Sequence, residues 1–175
     1  MSHHTNPMRE IRLEKVTINI GAGEAGTKLE MAKKLLEKLS GIKIVVTKTH
    51  KRSTFGVAKN RPIGVKVTLR GEKAKAFLVN ALKANENRLK PEQFDSSGNF
   101  SLGVKEYIDL PGIRYDPEIG IMGMDVCITL TRPGYGISKR MIRPKKVGKA
   151  HRITPEEAKE WMQKEFSVKI TGEEQ

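Results

Sequence analysis

Apolar residues alternate with polar ones in four stretches of the chain and recur at helical spacing in three others. Ile11, Leu13, Val16, Ile18 and Ile20, with Thr17 and Asn19 between the last three, predict a half-exposed first strand. Thr27 and Glu30 have the spacing of a T-x-x-E capping box, and Leu29, Ala32, Leu35, Leu36 and Leu39 mark one face of a helix that Gly41 ends. "IKIVVTK" predicts a second strand. In "PIGVKVTLRG" Ile63, Val65, Val67 and Leu69 oppose Lys66, Thr68 and Arg70, which predicts a third with a polar face. Glu72 to about Arg88 follows as a helix on the stripe Ala74, Phe77, Leu78, Ala81 and Leu82. "KPEQFDSSGN" breaks the periodicity. Phe100, Leu102 and Val104 then begin another strand, and after the loop "PGIRYDPEIGIMG" Val126, Ile128 and Leu130 form a last one, opposite Cys127, Thr129 and Thr131. Thr154, Pro155 and Glu157 stand as N-cap, first helical residue and N3 of a short helix through Trp161, Met162 and Phe166.

This order predicts an α+β fold: an open, mainly antiparallel sheet with helices on its apolar face, ferredoxin-like or RRM-like. Residues 1–175 read as a single domain carrying a long basic loop at 50–61 and a basic extension with a short helix at 132–175. The uncovered face would carry Thr17, Asn19, Lys66, Thr68, Arg70, Thr129 and Thr131, and is the candidate surface for a ligand.

A chain of 175 residues can bury a real core without covalent staples. Cys127 is its one cysteine, so an internal disulfide and a zinc site built on paired cysteines are excluded, and the expected compartment is reducing, hence cytoplasmic. The opening "MSHHTNPMREIRLEK" has no apolar run of signal-peptide length, and nowhere do roughly 18 consecutive apolar residues suggest a membrane span. His3 and His4 read as a frayed terminus rather than a metal site.

Charge sharpens the picture. The net charge is +13, but its distribution matters more. Leu39 to Gly71 contains no acid and eight basic residues: Lys43, Lys48, Lys51, Arg52, Lys59, Arg61, Lys66 and Arg70. Val126 to Pro155 repeats this with Arg132, Lys139, Arg140, Arg143, Lys145, Lys146, Lys149 and Arg152. The two tracts carry more positive charge than the whole chain, so the remainder is net acidic. Ordinary surfaces intersperse the signs; segregation on this scale points to a polyanionic partner.

Gly21, Gly23 and Gly26 have the GxGxxG spacing after a predicted strand, which raises an alternative: an NADP-binding oxidoreductase. The strands of a nucleotide-binding parallel sheet are continuous apolar runs, whereas "VTINI" alternates. An acidic residue near the end of the second strand should hold the ribose, and none exists between Leu39 and Gly71; only Lys48 or Arg52 could serve a 2′-phosphate. The alternative for the glycines is a tight turn that lets a partner approach the backbone. His50 and His151 lie in basic tracts with no carboxylate nearby in sequence. Cys127 reads as a small semi-buried strand residue, and Asp109, Asp116, Glu118 and Asp125 match no ligand spacing for a metal. The expectation is no enzyme, no cofactor and no metal. Aromatic residues are scarce and absent from the polar sheet positions, so Thr, Asn, Lys and Arg there suit phosphates and ribose hydroxyls of a folded RNA better than stacked single-stranded bases.

"VTINIGAGEAG", "VVTKTHKRSTFGVAKNRPIGVKVTLRG" and "FSLGVKEYIDLPGIRYDPEIGIMGMDVCITLTRPG" together resemble the universal large-subunit ribosomal protein family that binds 5S rRNA, ribosomal protein L five. The likeness runs over nearly the whole chain in order, and the tail ending "VGKAHRITPEEAKEWM" is similar to the archaeal and eukaryotic branch. Ile42 departs from the glutamine that bacterial members commonly carry, so no RNA contact is carried over to it. The resemblance implies a structural component of the central protuberance in the cytoplasmic ribosome, without enzyme activity. It implies a 5S rRNA face at Asn19, Gly21, Thr47, Lys48, Thr68 and Arg70. It also implies a loop with Lys51, Arg52, Ser53, Phe55, Gly56, Lys59, Asn60 and Arg61 reaching 23S rRNA and the peptidyl-site tRNA; the loop's own length, basic residues and lack of acid predict that it is mobile until RNA orders it. The segment Gly112–Gly123, with Arg114, Asp116 and Glu118, would face a protein of the small-subunit head, and other ribosomal proteins of the protuberance would adjoin.

Overall fold

Val16, Ile18 and Ile20 are buried along one side of strand β1 (Arg12–Gly21), while Thr17 and Asn19 point to the other. That alternation places β1 at the middle of a five-stranded sheet in the computed structural model, which describes residues 6–23, 26–52 and 56–170. Its neighbours are β3 (Pro62–Leu69) and β6 (Met124–Thr131), with β2 (Val45–Lys48) beyond β3 and β5 (Phe100–Val104) beyond β6. Every pairing in this sheet is antiparallel. β1 and β2 both run against β3, which separates them, and are joined through helix α1 (Thr27–Ser40). Helix α2 (Gly71–Ala84) joins β3 towards β6 across β1 in the same way. The order β2-β3-β1-β6 is therefore the ferredoxin-like arrangement of two split βαβ units, with β5 added at one edge.

Both helices cover the same face. Leu35 and Leu36 of α1 and Leu78, Ala81 and Leu82 of α2 are buried in one cluster with Val16, Ile18, Val65, Val67, Val126 and Ile128. Each of these strands has a polar alternate set, so the sheet can bury only one face without stranding polar groups in the core.

A third helix, α3 (Pro155–Phe166), adds Ala158 and Met162 to the core. Thr154 Oγ1 accepts from the Glu157 amide and the Glu157 carboxylate accepts from the Thr154 amide, a complete capping box. The chain leaving α3 pairs as β7 (Lys169–Ile170) in parallel with β4 (Arg88–Leu89), tying the extension to the segment after α2. This small sheet has no hydrophobic periodicity to announce it.

Three boundaries differ from the sequence reading. Gly26, not Thr27, is the N-cap of α1, and no side chain caps that end. Helix α2 stops at Ala84 rather than about Arg88, because Glu86 and Asn87 take left-handed φ of 54° and 55° and the Asn85 and Asn87 amides turn back to the helix carbonyls. Strand β2 begins at Val45; Ile42 and Ile44 pack on the core from outside it. The sequence also holds a parity break, since Leu13 and Val16 cannot share a face of a regular strand. The β1–β6 register shifts between Leu13 and Lys15, making Glu14 an inserted bulge residue that restores Leu13 to the core side.

Candidate nucleic-acid interface

The uncovered sheet face is built of cross-strand rows. One runs Val45, Lys66, Asn19, Asp125, Gly103, and the next Thr68, Thr17, Cys127, Ser101. Lys15 sits opposite Thr129 in a third, and Thr47, Gly64 and Gly21 form a fourth. Asn19 and Thr68 therefore share one surface, as the alternation predicts, and Thr47 and Gly21, which the resemblance implied, lie on it too. Lys48 is exposed beyond a register shift at the end of β2, opposite Pro62. No aromatic residue occupies these rows. Phe100 is in the core against Phe94, at a ring separation of 5.2 Å.

Gly64 is the tight point of the fourth row: a Cβ there would stand 2.8 Å from the Ile20 carbonyl oxygen and 3.0 Å from Thr47 Oγ1. Gly21 opposite has open space above it. Beyond it the Ala22 and Gly23 amides both donate to the Ile63 carbonyl, at 2.9 and 3.1 Å. Those two amides would face a pyrophosphate in a dinucleotide site; here they are spent on β3, prolonging the β1–β3 pairing in a sheet that is antiparallel and open. Glu24 and Ala25 lie outside the described residues, as do His3, His4, Ser53 and Phe55.

Arg70 leaves the end of β3 and is 61% exposed, with Nη1 3.5 Å from Glu14 Oε1. Lys139, from the extension, donates to the same carboxylate. Glu14 thus joins the central strand to the extension. Burial pushes its carboxyl up, but the ammonium of Lys139, by hydrogen bond and charge, with Lys15 and Arg70 behind it, brings it net below the ordinary carboxylate value. Between the sheet and the extension lies a cavity of about 340 Å³, lined on one side by Asn99 and Thr129 and on the other by Tyr135, Lys139, Lys146 and Arg152.

Arg132 does not belong with the free cations of that extension. It is only 5% exposed, and its guanidinium donates to the carbonyls of Arg9, His151 and Arg152 and, at 2.9 Å, to Glu157. It clamps the N-terminal segment, the extension and α3 together, because a planar donor fork can serve several carbonyls at once. Arg140, Arg143, Lys145, Lys146, Lys149 and Arg152 are exposed. Cys127, read as semi-buried, is exposed on the open face; partial burial of the sulfur and the Asp125 carboxylate raise its pKa, so the thiol stays protonated.

The β2–β3 connection is closed at its base. Thr49 exchanges backbone bonds with Asn60 and Arg61, and its hydroxyl donates to the Ala58 carbonyl at 2.8 Å. Asn60 takes a φ of 65° to make this closure. Lys51, Arg52, Gly56, Lys59 and Arg61 are exposed around it. In the segment after β5, Asp116 pairs with Lys38 of α1 at 2.9 Å and Glu118 with Lys34 at 3.4 Å, while the Asp116 amide donates to the Tyr107 hydroxyl. The Lys38 ammonium and the Glu118 amide hold the Asp116 carboxyl below its ordinary value. Arg114 is exposed beside them. Sequence reasoning missed Glu14, whose only signal is the parity break, and Val45 and Asp125 on the open face. No group of three or more metal-ligating side chains is found, and no helix is long and apolar enough to cross a membrane, among the described residues.

A sheet backed by helices on one side and left open and polar on the other, with exposed cations around its ends, defines an α+β binding module, not a dinucleotide-dependent enzyme. Comparison with known proteins supplies the family. Residues 6–57 match the model described as Ribosomal protein L5, and residues 62–165 match the model for the C-terminus of the same ribosomal family. The chain is 52% identical over 168 residues to the large ribosomal subunit protein uL5 of Sulfurisphaera tokodaii, covering 94% of each chain. It is 49% identical to the proteins of the same name from Cenarchaeum symbiosum, covering 93% of this chain and 97% of the relative, and Methanosphaera stadtmanae, covering 94% and 99%. The chain belongs to the ribosomal protein L5 family, whose members are structural proteins of the large subunit and not enzymes.

Proposed function

We propose that this protein is a structural component of the large ribosomal subunit that docks its open sheet face on 5S rRNA. The observation that carries the reading is the sheet itself: one face is buried under α1 and α2, and the other presents Asn19, Lys66, Thr68 and the adjoining Thr47, Lys48 and Arg70. Threonine and asparagine there suit ribose hydroxyls, and lysine and arginine suit phosphates, so an RNA surface is recognised by shape. The loop at 50–61 extends from the far edge towards 23S rRNA and the peptidyl-site tRNA. The exposed cations of the extension add rRNA contacts. Arg114, Asp116 and Glu118 face a protein of the small-subunit head, and other central-protuberance proteins adjoin.

Calorimetric titration with refolded 5S rRNA and, separately, with NADPH tests this directly. Binding of the RNA and not of the dinucleotide is the expected result. Micromolar NADPH binding with no RNA binding would overturn the reading.

A further inference from the structure

Met141 and Ile142 are the two most solvent-exposed large apolar side chains among the described residues, at 97% and 80%. They stand side by side at the tip of the extension, flanked by Arg140, Arg143, Lys145 and Lys146 in a tract that contains no acid from Val126 to Pro155.

The tip has a built base. The Lys139 and Arg140 amides both donate to the Gly136 carbonyl, the Lys145 amide donates to Ile137, and the Lys139 ammonium is held by Glu14 of β1. Across the tip, Arg140 Nε donates to the Arg143 carbonyl at 2.9 Å. Arg143 itself is held at a φ of 49°, left-handed backbone that a residue with a side chain adopts only under constraint. The turn therefore spends its hydrogen bonds and its strain on pushing two apolar side chains into water, at a place where its own core offers them nothing.

We propose that the Met141–Ile142 turn is an apolar wedge that seats against base edges in the shallow minor groove of an RNA helix while Arg140, Arg143, Lys145 and Lys146 hold the phosphates on either side. Charge complementarity selects RNA over a protein groove: four cations within seven residues, with no acid among them, would meet a hydrated protein surface unpaired but match a phosphate ladder. The A-form minor groove is wide enough to admit side chains, and methionine and isoleucine are among the residues that wedge against bases. Lysine and arginine supply the salt-sensitive part of the binding; the wedge supplies a part that salt does not screen.

The inference rests on the RNA-docking function above, and the test separates the two. The full-length protein and its M141A/I142A double variant are titrated with 5S rRNA and with 23S rRNA transcripts between about 50 and 300 mM salt. A variant with Arg140, Arg143, Lys145 and Lys146 all changed to Ala runs beside them, and thermal melting verifies that all three fold. M141A/I142A should lose about tenfold in affinity for one of the RNAs with the salt slope unchanged, while the four-cation variant should flatten that slope. If the unmodified protein binds neither RNA, the proposed function fails and the wedge falls with it. If it binds and M141A/I142A binds equally well to both, the wedge is refuted and the docking stands. A photoreactive aliphatic residue placed at 141 in assembled subunits gives a second readout: a crosslink to nucleotide supports the proposal, and a crosslink to protein overturns it.

Discussion

Arg132 and Glu157 are the residues on which the extension depends. The guanidinium is buried and serves three carbonyls and one carboxylate, so Arg132→Ala leaves those acceptors without their charged donor. A loss of about 2–3 kcal/mol is expected in chemical denaturation, since hydrogen bonds to charged groups count for more than neutral ones. Arg132→Lys should recover little, because an ammonium cannot reproduce the fork. Burial pushes the Glu157 carboxyl up, but the Thr154 amide and Arg132 outweigh it and leave the group below its ordinary value of 4.5. A carboxyl depressed in the folded state contributes stability above its unfolded value and loses it as pH falls through the folded one. The stability curve should therefore fall off below about pH 4.5, and the fall should be shallower in Glu157→Gln, as melts across about pH 3 to 6 will test. The two glycines of the fourth row separate folding from docking. Gly64→Ala forces a Cβ onto the Ile20 carbonyl and should cost about 1–3 kcal/mol. Gly21→Ala has free space and should melt like the unmodified protein; weakened 5S rRNA binding in that variant is the signature of close backbone approach by RNA.

At the scale of elements, the end of β3 and the β2–β3 connection should separate by function. Arg70 is exposed and its contact with Glu14 is long, so Arg70→Ala should leave the melting temperature nearly unchanged. The same change removes a charged donor from the docking face and should weaken 5S rRNA binding by about 1–3 kcal/mol. Unfolding of the variant would show that the side chain is structural instead. The connection after β2 is closed at its base by Thr49, Asn60 and Arg61. Replacing 51–57 by a short glycine linker keeps that closure. 5S rRNA affinity should hold while assembled ribosomes retain peptidyl-site tRNA less well. A large loss of isolated 5S rRNA binding, or full tRNA retention, would refute the division.

For the whole molecule, the two acid-free tracts meet at one sheet. The first supplies β2, β3 and their connection, and the second supplies part of β6 and the extension that packs back against Glu14. They touch through Arg70 and Lys139, which share the Glu14 carboxylate, while the 50–61 connection leaves the opposite end of β3 at Pro62. Binding through many phosphate contacts should then be steeply salt-dependent. With about 6 to 10 of them, affinity for duplex DNA would fall on the order of 10³ to 10⁵ between 50 and 200 mM salt, and folded RNA should respond in kind. A flat response would mean that the segregated charge serves something other than a polyanion.

The alternation in β1, β3 and β6 and the 3.6-residue stripes of α1 and α2 determined the fold class from sequence alone, because each local period names a buried face and one sheet with two helices is the compact way to satisfy them. The capping box at Thr154 and the stop at Gly41 were legible for the same reason: they are local chemistry. The polar set at Thr17, Asn19, Lys66 and Thr68 was also legible, since residues two apart along a strand share a face, whereas Thr47 came from the family resemblance alone. What the chain could not announce locally is who lies opposite whom. The bulge that puts Glu14 between Arg70 and Lys139, the burial of Arg132 under carbonyls distant in sequence, the pairing of β4 with β7, and the use of the Ala22 and Gly23 amides by Ile63 all depend on partners brought together by the sheet order. Arg132 has the same charge in sequence as Lys146. Only tertiary packing decided that one is a clamp inside the protein and the other a cation on its surface.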